Sequence, residues 1–171
     1  MNMMNASQFN VNRKNRVGVN LLTPNQASGT DTLADTTGFS KNGVNTLLES
    51  STEEARGGTR SLKVVTNNEA NGEGTFIGVE NLSPNKSYTF NAFIKGTGTI
   101  KLTLMEYTMV GGTYIGETSS ITLTLTDNWQ PLSVNRVLSA TGTYVRLYII
   151  TSAKQAATFY VDSLSFRRLV P

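Results

Sequence analysis

Covalent chemistry in this sequence would have to run on carboxylates. The 171 residues include no cysteine and no histidine, which removes thiol nucleophiles, disulfides, His/Cys zinc centres and Ser-His-Asp triads together. Glycoside hydrolysis needs only two acids, and Asp31, Asp35, Glu53, Glu54, Glu106 and Glu117 are available. Most of these fall in stretches that read as loops, and no spacing marks a pair. The expectation is a protein that binds without catalysing.

Groups for noncovalent recognition are better placed. Tyr144, Arg146 and Tyr148 recur at period two and so share one face of a strand, with Val145, Leu147 and Ile149 on the other. Met105, Tyr107 and Tyr114 are candidates to lie near them. Charge is distributed unevenly. Fifteen basic and twelve acidic residues give a net +3, yet Arg13, Lys14 and Arg16 precede the first acid, Asp31. Setting those three aside leaves twelve basic against twelve acidic residues, so the excess positive charge rides on the N-terminal segment. Three charges without interleaved aromatics are too few for a nucleic-acid surface, and an acidic protein neighbour is the expected partner. No apolar run approaches the roughly 18 residues of a membrane span. The first residues have no apolar core of a secretory leader, which predicts synthesis inside the cell.

The elements that must position these groups are strands and turns. Hydrophobic content of 38% and charged content of 16%, made up by Thr, Ser, Asn and Gly, predict one all-β domain. Residues 1–18 form a polar arm with isolated Phe9, Val11 and Val17; such a segment gains order only against a neighbour. Residues 19–168 form the body and 169–171 a short tail. Val19–Leu22 reads as a first strand and residues 24–45 as a long surface loop. Further strands are expected over 46–49, 61–66 and 74–79. Tyr88, Phe90, Ala92 and Ile94 alternate with polar neighbours, Gly96-Thr97-Gly98 turns the chain, and Ile100, Leu102 and Leu104 follow, the pattern of a hairpin. Ile121, Leu123 and Leu125 predict a half-buried strand, and others follow over 129–137, 143–151 and 158–166. In the last, parity slips between Phe159/Val161 and Leu164/Phe166, which predicts a bulge at Asp162-Ser163. About nine or ten antiparallel strands with this spacing predict a jelly-roll β-sandwich carrying an extended N-terminal arm.

Several segments in order resemble carbohydrate-binding modules of the family 4/9/22 type. They are Asn20-Leu21-Leu22, Arg60–Val64, Leu82–Phe90, Thr126–Gln130 and Phe159–Asp162. The resemblance implies a structural calcium between the first loop and the last strand, with Asp162 as a ligand joined by carbonyls or carboxylates from residues 24 to 40, such as Asp31 or Asp35; the alternative is that Asp162 bonds backbone at the bulge. No other cofactor is implied. It also implies sugar binding by aromatic and amide side chains: stacking on Tyr148, with Arg146 and Asn91 bonding hydroxyls and Tyr107 and Tyr144 beside them. Alternatively the tyrosines cover the sandwich edge or pack against a neighbouring subunit. Jelly rolls of this type also occur in phage structural proteins. The functional expectation is therefore a non-catalytic virion component, a capsid decoration protein, acting as a homo-oligomer with a trimer favoured. It would dock on the major capsid protein or other virion subunits through Phe9, Val11, Arg13, Lys14 and Arg16. The alternative is a module that recognises a glycan on a sandwich face.

Overall fold

The computed structural model describes residues 18–169; the arm, with its five proposed docking residues, lies outside them. Two antiparallel sheets face each other. One runs in the order β1 (Ser40–Asn42), β4 (Gly74–Val79), β10 (Tyr144–Thr151), β6 (Thr99–Tyr107), β7 (Tyr114–Ser119), with β8 (Leu123–Thr124) also pairing with β6. The other runs β2 (Leu47–Ser51), β3 (Ser61–Asn67), β11 (Ala156–Arg168), β5 (Ser87–Gly96), β9 (Gln130–Val137). Eleven strands in two layers make the expected jelly-roll sandwich.

Alternation dictates the core. Phe90, Ile94, Leu102, Leu104, Val145, Leu147, Phe159 and Phe166 have no exposed surface, and each such side chain contributes about 1.5–3 kcal/mol by leaving water. One charged pair joins the layers inside. Arg136 on β9 donates through Nε to the fully buried Glu106 on β6 at 2.7 Å, and the other Glu106 oxygen accepts the Ser139 N–H at 2.7 Å.

The segment read as a hairpin is a crossover. β5 pairs with β11 and β9, whereas β6 pairs with β10, β7 and β8. Both strands bury their even-numbered residues because they approach one core from opposite sides. Gly96 permits the switch: its φ is +129°, and a Cβ there would lie 2.3 Å from the Thr158 carbonyl oxygen.

Other expectations also need correction. Val19–Leu22 joins no ladder; the Asn20 side chain takes its place, donating to Leu164 O at 3.0 Å and accepting from Phe166 N at 3.0 Å. Gly18 N donates to Arg168 O at 3.1 Å and Leu21 N to Phe166 O at 2.8 Å. The stretch 24–45 is not all loop. It contains β1 and a one-turn helix, α1 (Pro24–Ala27), started by a reciprocal Thr23–Gln26 capping box with proline in the first turn. Of the expected 121–125 strand only Leu123–Thr124 pairs; Leu125 is buried, but Ile121 is exposed. β7 had no apolar alternation to announce it.

The bulge is where the sequence places it. The β11–β5 register shifts between Asp162 and Ser165, and Ser163 adopts φ +52°. Phe159, Val161, Leu164 and Phe166 consequently all reach the core.

Candidate functional site

The two outer faces of the sandwich differ in what covers them. Over the five-stranded sheet lies the 52–60 loop. Lys63 bonds Glu53 at 2.7 Å, Lys95 pairs with Glu54 at 2.8 Å, and the Arg56 guanidinium sits 3.5 Å from the centre of the Phe93 ring. Tyr160 donates to Glu53. The loop is pinned from below by Asp162, itself 1% exposed, which accepts Arg56 N at 2.7 Å and Gly57 N at 2.9 Å, and also Ser163 N. Asp31 holds the same loop through Thr59 N at 2.8 Å and Thr59 Oγ1 at 2.9 Å. The Thr59 bonds keep the Asp31 carboxyl below the ordinary carboxylate range, and the Lys63 and Tyr160 bonds do the same for Glu53. The loop thus covers this face around Lys63, Phe93, Lys95 and Tyr160, while Pro131, Ser133 and Asn135 on β9 stay exposed.

The acids of the supposed calcium site are accordingly occupied. Asp35 accepts from Thr37 N at 2.8 Å in an exposed turn, and Asp162 and Asp31 accept N–H groups of the 56–59 loop. Calcium wants six to eight oxygens, whereas three N–H groups point their positive ends at Asp162. Among the described residues no three acidic side chains gather as a metal-holding group. With its carboxylate turned to those N–H donors, Asp162 stands here as the backbone anchor of the loop.

The face of the six-stranded sheet carries an aromatic floor. β10 presents Tyr144, Arg146 and Tyr148; their cross-strand partners are Tyr107, Met105 and Thr103 on β6, while Gly78 and Phe76 on β4 oppose Arg146 and Tyr148. Ring centroids lie 5.2 Å apart for Phe76–Tyr148 and 5.8 Å for both Tyr107–Tyr144 and Tyr107–Tyr114. These offset, tilted arrangements are the ones the ring quadrupoles favour. Tyr144 and Tyr148 are buried, Phe76 and Tyr107 half-buried, and Tyr114 is 51% exposed. The buried pair is thus a base on which more exposed rings stand. Gly78 makes room for Tyr144: a Cβ there would sit 2.6 Å from the tyrosine hydroxyl.

Arg146 lies in the middle of this floor, its guanidinium carbon 5.2 Å from the Phe76 centroid and 5.1 Å from that of Tyr107. Hydrogen bonding to the Tyr148 and Tyr144 hydroxyls raises its pKa further above the ordinary value. Burial pushes the Tyr107 hydroxyl up, reinforced by Tyr148 and opposed by Arg146. At the Tyr144 end the floor opens into a depression of about 500 Å³ walled by Leu22, Pro24, Gln26, Glu80 and Val110. That size falls in the roughly 300–1,000 Å³ range of small-ligand sites. The short helix α1 and the β6–β7 loop form its two sides.

The expected grouping therefore assembles in part. Tyr107, Tyr144, Arg146 and Tyr148 come together, with Met105 and Tyr114 beside them. Asn91 does not: it is on β5, in the opposite sheet, where its amide donates to Ser165 Oγ at 3.2 Å. Phe76 was missed. Its signal is the outward parity between buried Thr75 and Ile77, which places an aromatic on a solvent-side position of a central strand.

The profile of a family described as carbohydrate binding domain matches residues 26–157. The tandem CBM22-1–CBM22-2 domain of Paenibacillus barcinonensis Xyn10C superposes with a TM-score of 0.73 at 18% identity, over 91% of this chain and 48% of that one. The CBM22-1–GH10 modules of Clostridium thermocellum endo-1,4-beta-D-xylanase 10B, complexed with xylohexaose, give 0.65 at 22%, over 77% and 26%. The enzymatically active domain of bacteriophage CBA120 tailspike protein 4 gives 0.68 at 7%, over 88% and 21%. The chain thus spans about a quarter of the xylanase chain and about half of the tandem. At these identities the likeness is one of fold. Curated proteins provide no match.

Proposed function

The chain belongs to the carbohydrate binding domain family, and from that premise we propose that it recognises a glycan on the outer face of the six-stranded sheet, without catalysis. The observation that carries this reading is the contrast between the faces. On one, the half-buried rings of Phe93 and Tyr160 are engaged by Arg56 and Glu53 of the 52–60 loop; the other leaves Phe76, Tyr107 and Tyr114 accessible beside a depression. A pyranose ring has an apolar face of axial C–H bonds that stacks on an aromatic ring, and hydroxyls that need donors and acceptors at the rim. Tyr107 and Tyr114 supply the surface, and Arg146 and Glu117 supply polar groups next to it. The xylan ligands named for its structural neighbours make a β-linked polysaccharide the first probe.

The test is affinity electrophoresis or calorimetry against a glycan panel, with Tyr107→Ala and Phe76→Ala beside the parent chain. Each variant should weaken binding about tenfold or more, equivalent to about 1.4 kcal/mol, while Lys63→Ala on the opposite face should not. Equal affinity in all four proteins would remove the open face from consideration.

A second reading, a structural component of a virion, draws support from the fold likeness to the tailspike domain. Deleting residues 2–17 separates the two readings. Loss of particle association with glycan affinity intact would assign docking to the arm and recognition to the body.

A further inference from the structure

Among the described residues, carboxylates hold Lys63, Lys95 and Arg136, none of which lies on the outer face of the six-stranded sheet. Their ion pairs are Lys63–Glu53 at 2.7 Å, Lys95–Glu54 at 2.8 Å and Arg136–Glu106 at 2.7 Å. Arg56 is stacked on Phe93 and donates to Ser163 Oγ at 3.1 Å. Arg146 is in no ion pair among the described residues, although it is half-buried and central. Its partners are the two ring faces and the tyrosine hydroxyls, and its Nε is buried without a hydrogen-bond acceptor. Ring faces stabilise a cation by only about 0.5–2 kcal/mol, and hydroxyls bring no counter-charge. With its Nε below the surface and no anion beside it, this half-buried guanidinium can still offer its two Nη groups to a planar carboxylate as parallel N–H bonds.

Resting on the carbohydrate-recognition reading above, we propose that this face selects acidic saccharides, specifically glycans containing uronic acids whose carboxylate engages Arg146 while the sugar ring stacks on Tyr107 or Phe76. The exocyclic carboxylate of a hexuronic acid extends from the ring edge. A ring lying on either aromatic that flanks Arg146 therefore carries its anion toward the guanidinium. Other charged groups around the face fit this placement. Glu117 sits on β7, beyond Met105, where the Tyr114 hydroxyl donates to it at 3.4 Å, and Glu80 borders the depression at the Tyr144 end. Acids at the margins repel a polyanion laid out of register, while Lys101, opposite Ile150 toward the other end of β6, adds a second cation to the same face. Met105, directly across from Arg146, offers no competing anion.

The experiment compares oligogalacturonate and alginate oligomers with their carboxyl-reduced, neutral counterparts, which keep ring and linkage and lose only the charge. The proposal expects the acidic form to bind at least about tenfold more tightly than the reduced form. It also expects that advantage to shrink as salt rises from about 0.05 to 0.5 M. Arg146→Gln should abolish the preference, and Arg146→Lys, which keeps charge without the fork, should retain part of it. The thermal midpoint of each variant checks that the fold is intact; should Arg146→Gln unfold, Arg146→Lys and the salt series still decide. A sulfated glycan without uronic acids that binds as well as the uronates would overturn the choice of carboxylate. Equal binding of acidic and reduced oligomers would overturn the inference and leave glycan recognition standing. Absence of binding to every glycan would overturn both.

Discussion

Replacing Glu106 by alanine tests the physical account of how the two layers are held, independently of the ligand. Glu106 is fully buried and bonded to Arg136 Nε and to Ser139 N, each at 2.7 Å, and Arg136 Nη1 reaches Thr118 Oγ1 at 3.1 Å. The variant leaves a guanidinium only 17% exposed facing a void and deprives an amide of its acceptor. Removing one member of a buried ion pair costs about 3–5 kcal/mol, and the lost amide bond falls largely within that figure. For a chain of this size each kcal/mol is worth about 2–4 °C, so the midpoint should fall by about 6–20 °C. Thermal and urea unfolding followed by circular dichroism measure it, with an unchanged urea slope confirming that the unfolded state is unaltered. The double variant Glu106→Met with Arg136→Met should recover most of the loss, because the penalty comes from a stranded charge and the pair adds little net stability. A loss below about 1 kcal/mol in Glu106→Ala, the value of a surface pair, would refute the reasoning. Glycan affinity should be unchanged, since Glu106 faces the core.

Other expectations follow from the same contacts. Gly78→Ala drives a methyl into the Tyr144 hydroxyl, displaces the ring and should weaken glycan binding more than it lowers the thermal midpoint; calorimetry and melting on one preparation compare the two. Asp162→Ala removes the acceptor of three loop and bulge N–H groups, bonds worth about 1.5–3 kcal/mol each to a charged acceptor before the loop rehydrates, and limited proteolysis should then cut within residues 52–60. Because Asp162 is committed to those N–H groups, adding calcium or a chelator should leave the melting temperature unmoved; a clear rise with calcium would sink that assignment. Asp31 and Glu53 have depressed pKa values in the folded state, so their contribution is present above the ordinary carboxylate range of about 4–4.5 and is lost as pH falls through the folded values. The acid limb of a stability profile should accordingly be shallower in Asp31→Asn/Glu53→Gln than in the parent chain.

Period-two alternation identified most strands and the side of each that faces inward, down to the extra residue at Asp162-Ser163. It could not say to which sheet a strand belongs, because a sandwich buries one face of every strand in the same core. That ambiguity turned the β5–β6 crossover into a hairpin and put Asn91 beside Tyr148, two outward residues on opposite exteriors. β1 and β7 are short and polar, and α1 is a single turn held by Thr23 and Gln26, too brief to show a period. The covering of part of one face depends on Asp162 reaching residues 56 and 57, a contact more than a hundred positions apart that no local pattern carries. Arg146 was visible as an outward residue among tyrosines. Its lack of a counter-ion could be seen only after every acid had been placed.

The hydrogen bond between Gly18 N and Arg168 O sets the two ends of the body side by side. Tension applied through flanking polypeptide would therefore meet at one corner of the sandwich and peel the 18–22 segment from β11 before the crossed layers felt any load. Were further polypeptide attached at both ends, the two attachments would leave from one corner, and a pull on either would reach the other without crossing the core.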